Sequence, residues 1–149
     1  MVHIEQIKLT VITGNVTEAS TNGQIFLGLG GREFRLNKSG NQFQRGDTDT
    51  FQIGGVIGPD SINNQNNSND LPPLPGTINA PAIEYSTLDD YPIYIRFEPQ
   101  DNDDNWNVQS VSGNVKESGA SGGTRTFNDR TGNGNIWLGK ESGLFLGLN

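Results

Sequence analysis

Residues 4–13 read IEQIKLTVIT. In an extended chain Ile7, Leu9 and Val11 share one face while Lys8 and Thr10 share the other, which is the two-residue period of a half-buried strand. The period recurs along the chain. Gln24 to Leu29 groups Ile25, Leu27 and Leu29; Glu33 to Asn37 turns Phe34 and Leu36 inward and Arg35 outward; Phe51 and Ile53 alternate with Thr50 and Gln52. Between Pro92 and Glu98, Ile93, Ile95 and Phe97 alternate with Tyr94 and Arg96, and a further strand runs from Trp106 to Val115. Shorter ones occupy Thr124 to Phe127, Ile136 to Leu138 and Leu144 to Leu148. No long stretch spaces its apolar residues three and four apart, and the 20 glycines accompany many asparagines in the connections, so turns rather than helices join the segments. Short strands in such number cover their apolar faces only by closing into a barrel or by facing one another in two layers. The expectation is an all-β, two-sheet antiparallel β-sandwich.

The 149 residues suit one domain, 1–149. Residues 56–90 break its pattern: DSINNQNNSNDLPPLPG has almost no apolar periodicity and is dominated by Asn, Ser and Pro, which make turns without a core. The stretch reads as a long exposed Asn/Pro-rich insertion, with Leu71, Leu74 and their prolines as an alternative extended segment for a partner.

Ten Lys and Arg stand against 17 Asp and Glu, a formal charge of -7, so contact with DNA or RNA begins with repulsion and no local basic patch offsets it. The absence of Cys excludes disulfides, thiolate catalysis and Cys-ligated metals. His3 is the single imidazole and lies near the N-terminus, which leaves no His-centred triad and no multi-His metal site. No Ser is framed as Gly-x-Ser-x-Gly, and no glycine loop ends in Gly-Lys-Ser/Thr. Paired carboxylates are the chemistry left to a small enzyme, and here they fall in loops that read as exposed. Nowhere do about 18 apolar residues run together, so no transmembrane segment is expected. The opening MVHIEQIKLTVITGN lacks the basic-then-apolar order of a secretion signal, a slight pointer to the cytoplasm.

The strongest local chemistry is PQDNDDN, in which Asp101, Asp103 and Asp104 place three carboxylates within four positions beside Asn102 and Asn105. Such a turn is either an ordinary solvated loop or a site for a hard cation, which relieves mutual repulsion and takes six to eight oxygen ligands. It is not an EF-hand, because the ligand spacing and terminal Glu are missing. Asp47 and Asp49 in RGDTDTF suit a tight turn held by local hydrogen bonds, and the Arg45-Gly46-Asp47 triplet alone does not make an adhesion ligand. Trp106 follows the acidic turn and fits the core of the sandwich, with exposure at its end as the alternative. Phe26, Tyr94 and Trp137 raise the same question without assembling an evident patch.

Taken in order, these segments resemble a PLAT domain, the lipoxygenase-homology β-sandwich found beside lipoxygenases and animal lipases and within polycystins. The resemblance begins with IKLTVITGNVTEASTNGQIFLGLGG, is sharpest at FQRGDTDTFQI (Phe43, Arg45, Gly46, Asp47, Thr48, Asp49, Thr50, Phe51), continues through PIYIRFEPQDNDDNWNVQSVSGNV, and reaches the Phe127 to Leu138 region. It implies a non-catalytic interaction module that binds a membrane lipid surface or a protein partner, in some members with calcium held by loops at one end. It also implies that the turn of Ala19 to Asn22 and the turn of Asn41, Gln42 and Gln44 lie near the acidic loop. The metal ligands would then be drawn from Asn41, Asp101, Asp103, Asp104 and Asn105, Asp104 being the best-matched carboxylate. The chain departs from calcium-binding members at Asn22 and Gln42, where those often carry acids. A carbohydrate-binding module that recognises a glycan is the main alternative.

Overall fold

The computed structural model describes residues 2–63, 71, 82–119, 125–129 and 136–149. Among these are nine strands: β1 (Ile4–Thr13), β2 (Gln24–Leu29), β3 (Arg32–Arg35), β4 (Thr48–Gly54), β5 (Ile93–Glu98), β6 (Trp106–Glu117), β7 (Arg125–Asn128), β8 (Ile136–Leu138) and β9 (Phe145–Leu148), with a single 3-10 turn at Tyr85–Asp89. One sheet runs β4-β1-β6-β7, with β8 also on β6; the other runs β3-β2-β5-β9. Every strand-to-strand pairing among the described residues is antiparallel, and a single parallel bridge joins Gln52 of β4 to Ser61. The expected all-β sandwich is therefore the observed fold.

The alternation read from sequence fixes what each strand buries. Ile7, Leu9 and Val11 of β1 and Ile95 and Phe97 of β5 are all buried in one core that both sheets supply. Ile4 is out of step with that period yet also buried, because a bulge between Ile4 and Gln6 in the pairing with β6 absorbs one residue and returns the side chain inward. Trp106 is fully buried between the layers: its ring lies 5.8 Å from Phe97 of the facing sheet and 5.4 Å from Phe43, and its Nε1 donates to Thr13 Oγ1 at 3.0 Å. The core position expected for this residue is the one it takes, and the buried indole N–H has the partner it needs.

The stretch 56–90 is less detached than an exposed insertion. Gln52 N donates to Asp60 O at 2.7 Å and Ile62 N to Gln52 O at 3.0 Å, so the chain turns back along β4 and buries Ile62. Leu71, Ile83 and Leu88 are buried too, and Ile4 N donates to Ile83 O at 2.8 Å. Isolated apolar residues in a polar segment thus cap the core, without any period to announce them. Leu74 and the adjacent prolines lie outside the described residues, as does Thr124.

A candidate cation site where three loops meet

The turns 14–23, 36–47 and 99–105 leave the same pole of the sandwich, because β1, β3 and β5 all end there. They are stitched to one another. Thr13 N donates to Asp47 O at 2.9 Å, Gly46 N to Gly14 O at 3.1 Å, and Thr21 N to Phe43 O at 3.1 Å. Arg45 N donates to Ser20 Oγ at 2.7 Å. The third loop joins through Asp104, whose carboxylate accepts from Thr21 Oγ1 at 2.8 and 2.9 Å and from Gln100 N at 2.8 Å. The neighbourhood expected for these turns is the one observed.

The 43–47 turn is held from below by its own acids. Asp49 Oδ2 accepts from Phe43 N at 2.8 Å and Asp47 Oδ2 from Gln44 N at 3.2 Å. The first bond pins Phe43 at φ 62, a left-handed backbone that a bulky aromatic adopts only under constraint. The Arg45 guanidinium reaches Asn15 Oδ1 at 3.1 Å, so Arg45-Gly46-Asp47 serves the turn. Burial, the largest influence, raises the Asp49 carboxyl above its ordinary 3.8, partly offset by the Phe43 N–H bond. A raised folded value means that the native state holds this proton more tightly than the unfolded chain. Its contribution is therefore fully present below about 3.8 and is lost as pH rises through the higher folded value. Asp49→Asn, which keeps an acceptor for Phe43 N, should flatten this part of the stability profile in denaturant titrations from pH 3 to pH 7; an unchanged slope would remove Asp49 as its source.

At the centre of the pole is the Gln44 side chain. Its Nε2 lies 3.0 Å from Gln42 O, 3.3 Å from Thr21 O, 3.4 Å from Asn22 Oδ1 and 3.5 Å from Asn41 Oδ1. An amide NH₂ has two protons, and four oxygens converge on it. Surplus acceptors around one point are what a hard cation requires, and all four are neutral carbonyl-type oxygens that calcium accepts.

The acids flank this cage without forming one of their own. Asp101, Asp103 and Asp104 line a cleft of about 300 Å³ together with Ser20, Thr21, Asn22 and Gln44. Asp104 is turned into its clasp with Thr21, and Asp101 Oδ1 accepts from Asp103 N at 3.0 Å, closing a local turn. Among the described residues no three His, Asp or Glu side chains converge as a metal-ligand group. Asn105 faces away: its Nδ2 bonds Asp103 O at 3.2 Å, and its side chain covers Gly139 so closely that a Cβ there would overlap Oδ1. It lines a second, open cleft of about 680 Å³ together with Asp103, Asp104, Glu18, Trp137 and Glu141. Asn41 thus joins the oxygen cage and the three acids edge it, while Asn105 shares the larger cleft with Asp103 and Asp104. Nothing in composition marks Gln44 itself, since an isolated neutral amide signals nothing until other loops place oxygens around it, although the family resemblance brings its turn to this end.

The remaining aromatic residues divide. Phe26 lies beneath the Arg96 guanidinium at 4.1 Å, and Tyr94 Oη donates to Glu33 at 2.8 Å. The same Glu33 takes a two-pronged contact from Arg96 at 2.9 and 3.0 Å, which holds its carboxyl below the ordinary value. Neither ring stands bare on that sheet, whereas Trp137 is part-exposed at the rim of the larger cleft.

No protein-family model and no curated protein matches the sequence. Solved structures do resemble the fold. The alpha toxin of Clostridium absonum superposes with a TM-score of 0.59 at 17% identity, over 97% of this chain and 31% of the toxin. The Clostridium perfringens alpha-toxin from an avian strain gives 0.57 at 14%, over the same shares. A lipoxygenase variant solved with arachidonate gives 0.52 at 14%, over 97% of this chain and 16% of its own. The chain thus spans under a third of the toxins and about a sixth of the lipoxygenase. At these identities the likeness concerns the fold, which is a PLAT-like β-sandwich.

Proposed function

We propose that the chain is a non-catalytic module that docks on a lipid surface, with a calcium ion ordering the three loops at the Gln44 pole. The observation that carries the cation is the convergence of Thr21 O, Asn22 Oδ1, Asn41 Oδ1 and Gln42 O on one point. The lipid reading is supported by the PLAT-like fold, shared with a lipoxygenase variant whose structure holds arachidonate. A bound ion would displace the Gln44 nitrogen and take the cage oxygens, with Asp101 and Asp103 supplying charge from the cleft edge. It would supply electrostatic cross-linking of loops, and no reaction is assigned to it. With few formal charges in its shell the site should be weak, in the range of about 0.1–1 mM found for extracellular calcium modules.

Calorimetric titration of chelated protein tests this. A saturable calcium heat is expected in the wild type. Gln44→Glu puts a carboxylate among the four oxygens and should tighten binding by about tenfold or more, while costing stability in the calcium-free protein through repulsion with the cage oxygens. No heat from either protein would end the calcium assignment. Sedimentation with vesicles, with and without calcium, then reports on lipid docking; a wild type that never sediments would end the lipid reading.

A further inference from the structure

At the pole opposite the three loops, β4 ends and the chain turns through Gly55-Val56-Ile57-Gly58. Val56 is 88% exposed and Ile57 64%, the two most exposed large apolar side chains among the described residues. Gly54 and Gly55 sit at φ 74 and 72, which reverses the chain sharply and projects the pair beyond the sheet. On the finer reading that the module docks on lipid, we propose that Val56 and Ile57 form its apolar point of entry. The bilayer is then met by this pole rather than by the Gln44 pole.

Three features separate this tip from an ordinary exposed turn. Its polar backbone is partly tied up internally: Gln52 Nε2 donates to Gly54 O at 3.0 Å and Val56 O at 2.8 Å, Gly58 N donates to Ser61 Oγ at 2.9 Å, and Ser61 N donates to Gly58 O at 3.1 Å, which leaves Val56 N and the Ile57 backbone to headgroup water. Each backbone group satisfied from within lowers the cost of entering a poorly hydrated layer. The segment FQIGGVIGP from 51 to 59 carries no ionisable side chain, and Asp60, the first that follows, is paired with Lys38 at 2.8 Å. At the same pole, Val2 and Tyr91 are 45% and 50% exposed just before β1 and β5, and a tyrosine suits the boundary between headgroup and acyl chain. A convex two-residue point offers little matched area to a rigid protein but buries fully in a soft layer. With a net charge of -7 the fitting surface is zwitterionic rather than anionic.

The probe is phosphatidylcholine vesicles, and the proteins are the wild type and V56S/I57S, whose changes are wholly at the surface. Wild-type sedimentation, a loss of at least about tenfold in partitioning for the double variant, and an unchanged calcium titration are the expected results. V56W should shift its fluorescence to the blue when vesicles are added. If the wild type and V56S/I57S sediment equally, lipid docking stands and the tip is the wrong point of contact. If the wild type does not sediment, the lipid reading and the tip fall together. Concentration-dependent dimerisation abolished by V56S/I57S, with no vesicle effect, would assign the tip to a second copy of the chain and overturn the proposal.

Discussion

Trp106→Ala should remove about 3–5 kcal/mol of folding stability, a large part of the 5–15 kcal/mol typical of a domain. Trp106 has no exposed surface and closes the core beneath the candidate site, touching Phe97 from the facing sheet and Phe43 from the 43–47 turn. Ala leaves a cavity that neither sheet can collapse into, since the strands on both sides are fixed by their ladders. It also strands the buried Thr13 hydroxyl. Trp106→Phe separates the two losses. It keeps most of the packing and drops only the hydrogen bond, so about 1–2 kcal/mol is expected. Urea denaturation checks both. Because Phe43 leans on the indole, the alanine variant should also weaken the calcium heat. A Trp106→Ala protein as stable as the wild type would contradict the packing described.

The second large effect is expected at Gly14. A Cβ there would overlap Asn107 Oδ1, and Asn107 is only 1% exposed and has no room to yield. Gly14→Ala should therefore cost about 1–3 kcal/mol by overpacking. Asn107 also carries a penalty of its own, since neither of its side-chain polar atoms has a hydrogen-bond partner. Orphaning a buried amide costs about 1–3 kcal/mol, so Asn107→Ala should be close to neutral, lost packing offsetting the relief. In the double variant the new methyl occupies space the amide vacates. The cycle should show a coupling of about 1–2 kcal/mol, the double variant being more stable than Gly14→Ala alone. Strictly additive effects would mean that the two positions do not share this space.

The strands were legible because their period is local. Ile7, Leu9 and Val11, or Ile93, Ile95 and Phe97, announce a buried face within a few residues, and the pleat forces the consequence. Ile62, Leu71, Ile83 and Leu88 announce nothing of the kind, since what buries each one is a distant partner. Ile62 follows from a contact with Gln52, and Ile83 from one with Ile4. The acidic turn was visible as a cluster of charge, and the structure sets its carboxylates to holding the loops: Asp104 clasps Thr21 and Asp101 caps Asp103. Two of the four oxygens at Gln44 are backbone carbonyls, which every residue possesses and no composition reveals, and the other two belong to Asn22 and Asn41. Asn105 lines the larger cleft, whose wall Asp103 and Asp104 share, and not the smaller one beside Gln44.

The central place of β1 has a consequence in time. It is made well before β6, yet β6 fills one of its two edges, with Ile4 opposite Glu117. At about 5–20 residues per second, a ribosome needs roughly 5–20 s to cover a separation of about a hundred residues. Through that interval an apolar strand with one open edge waits in the nascent chain, in a topology whose distant pairings also make folding slow. The period of greatest exposure to aggregation thus belongs to synthesis, and slower translation before Trp106 should lengthen it.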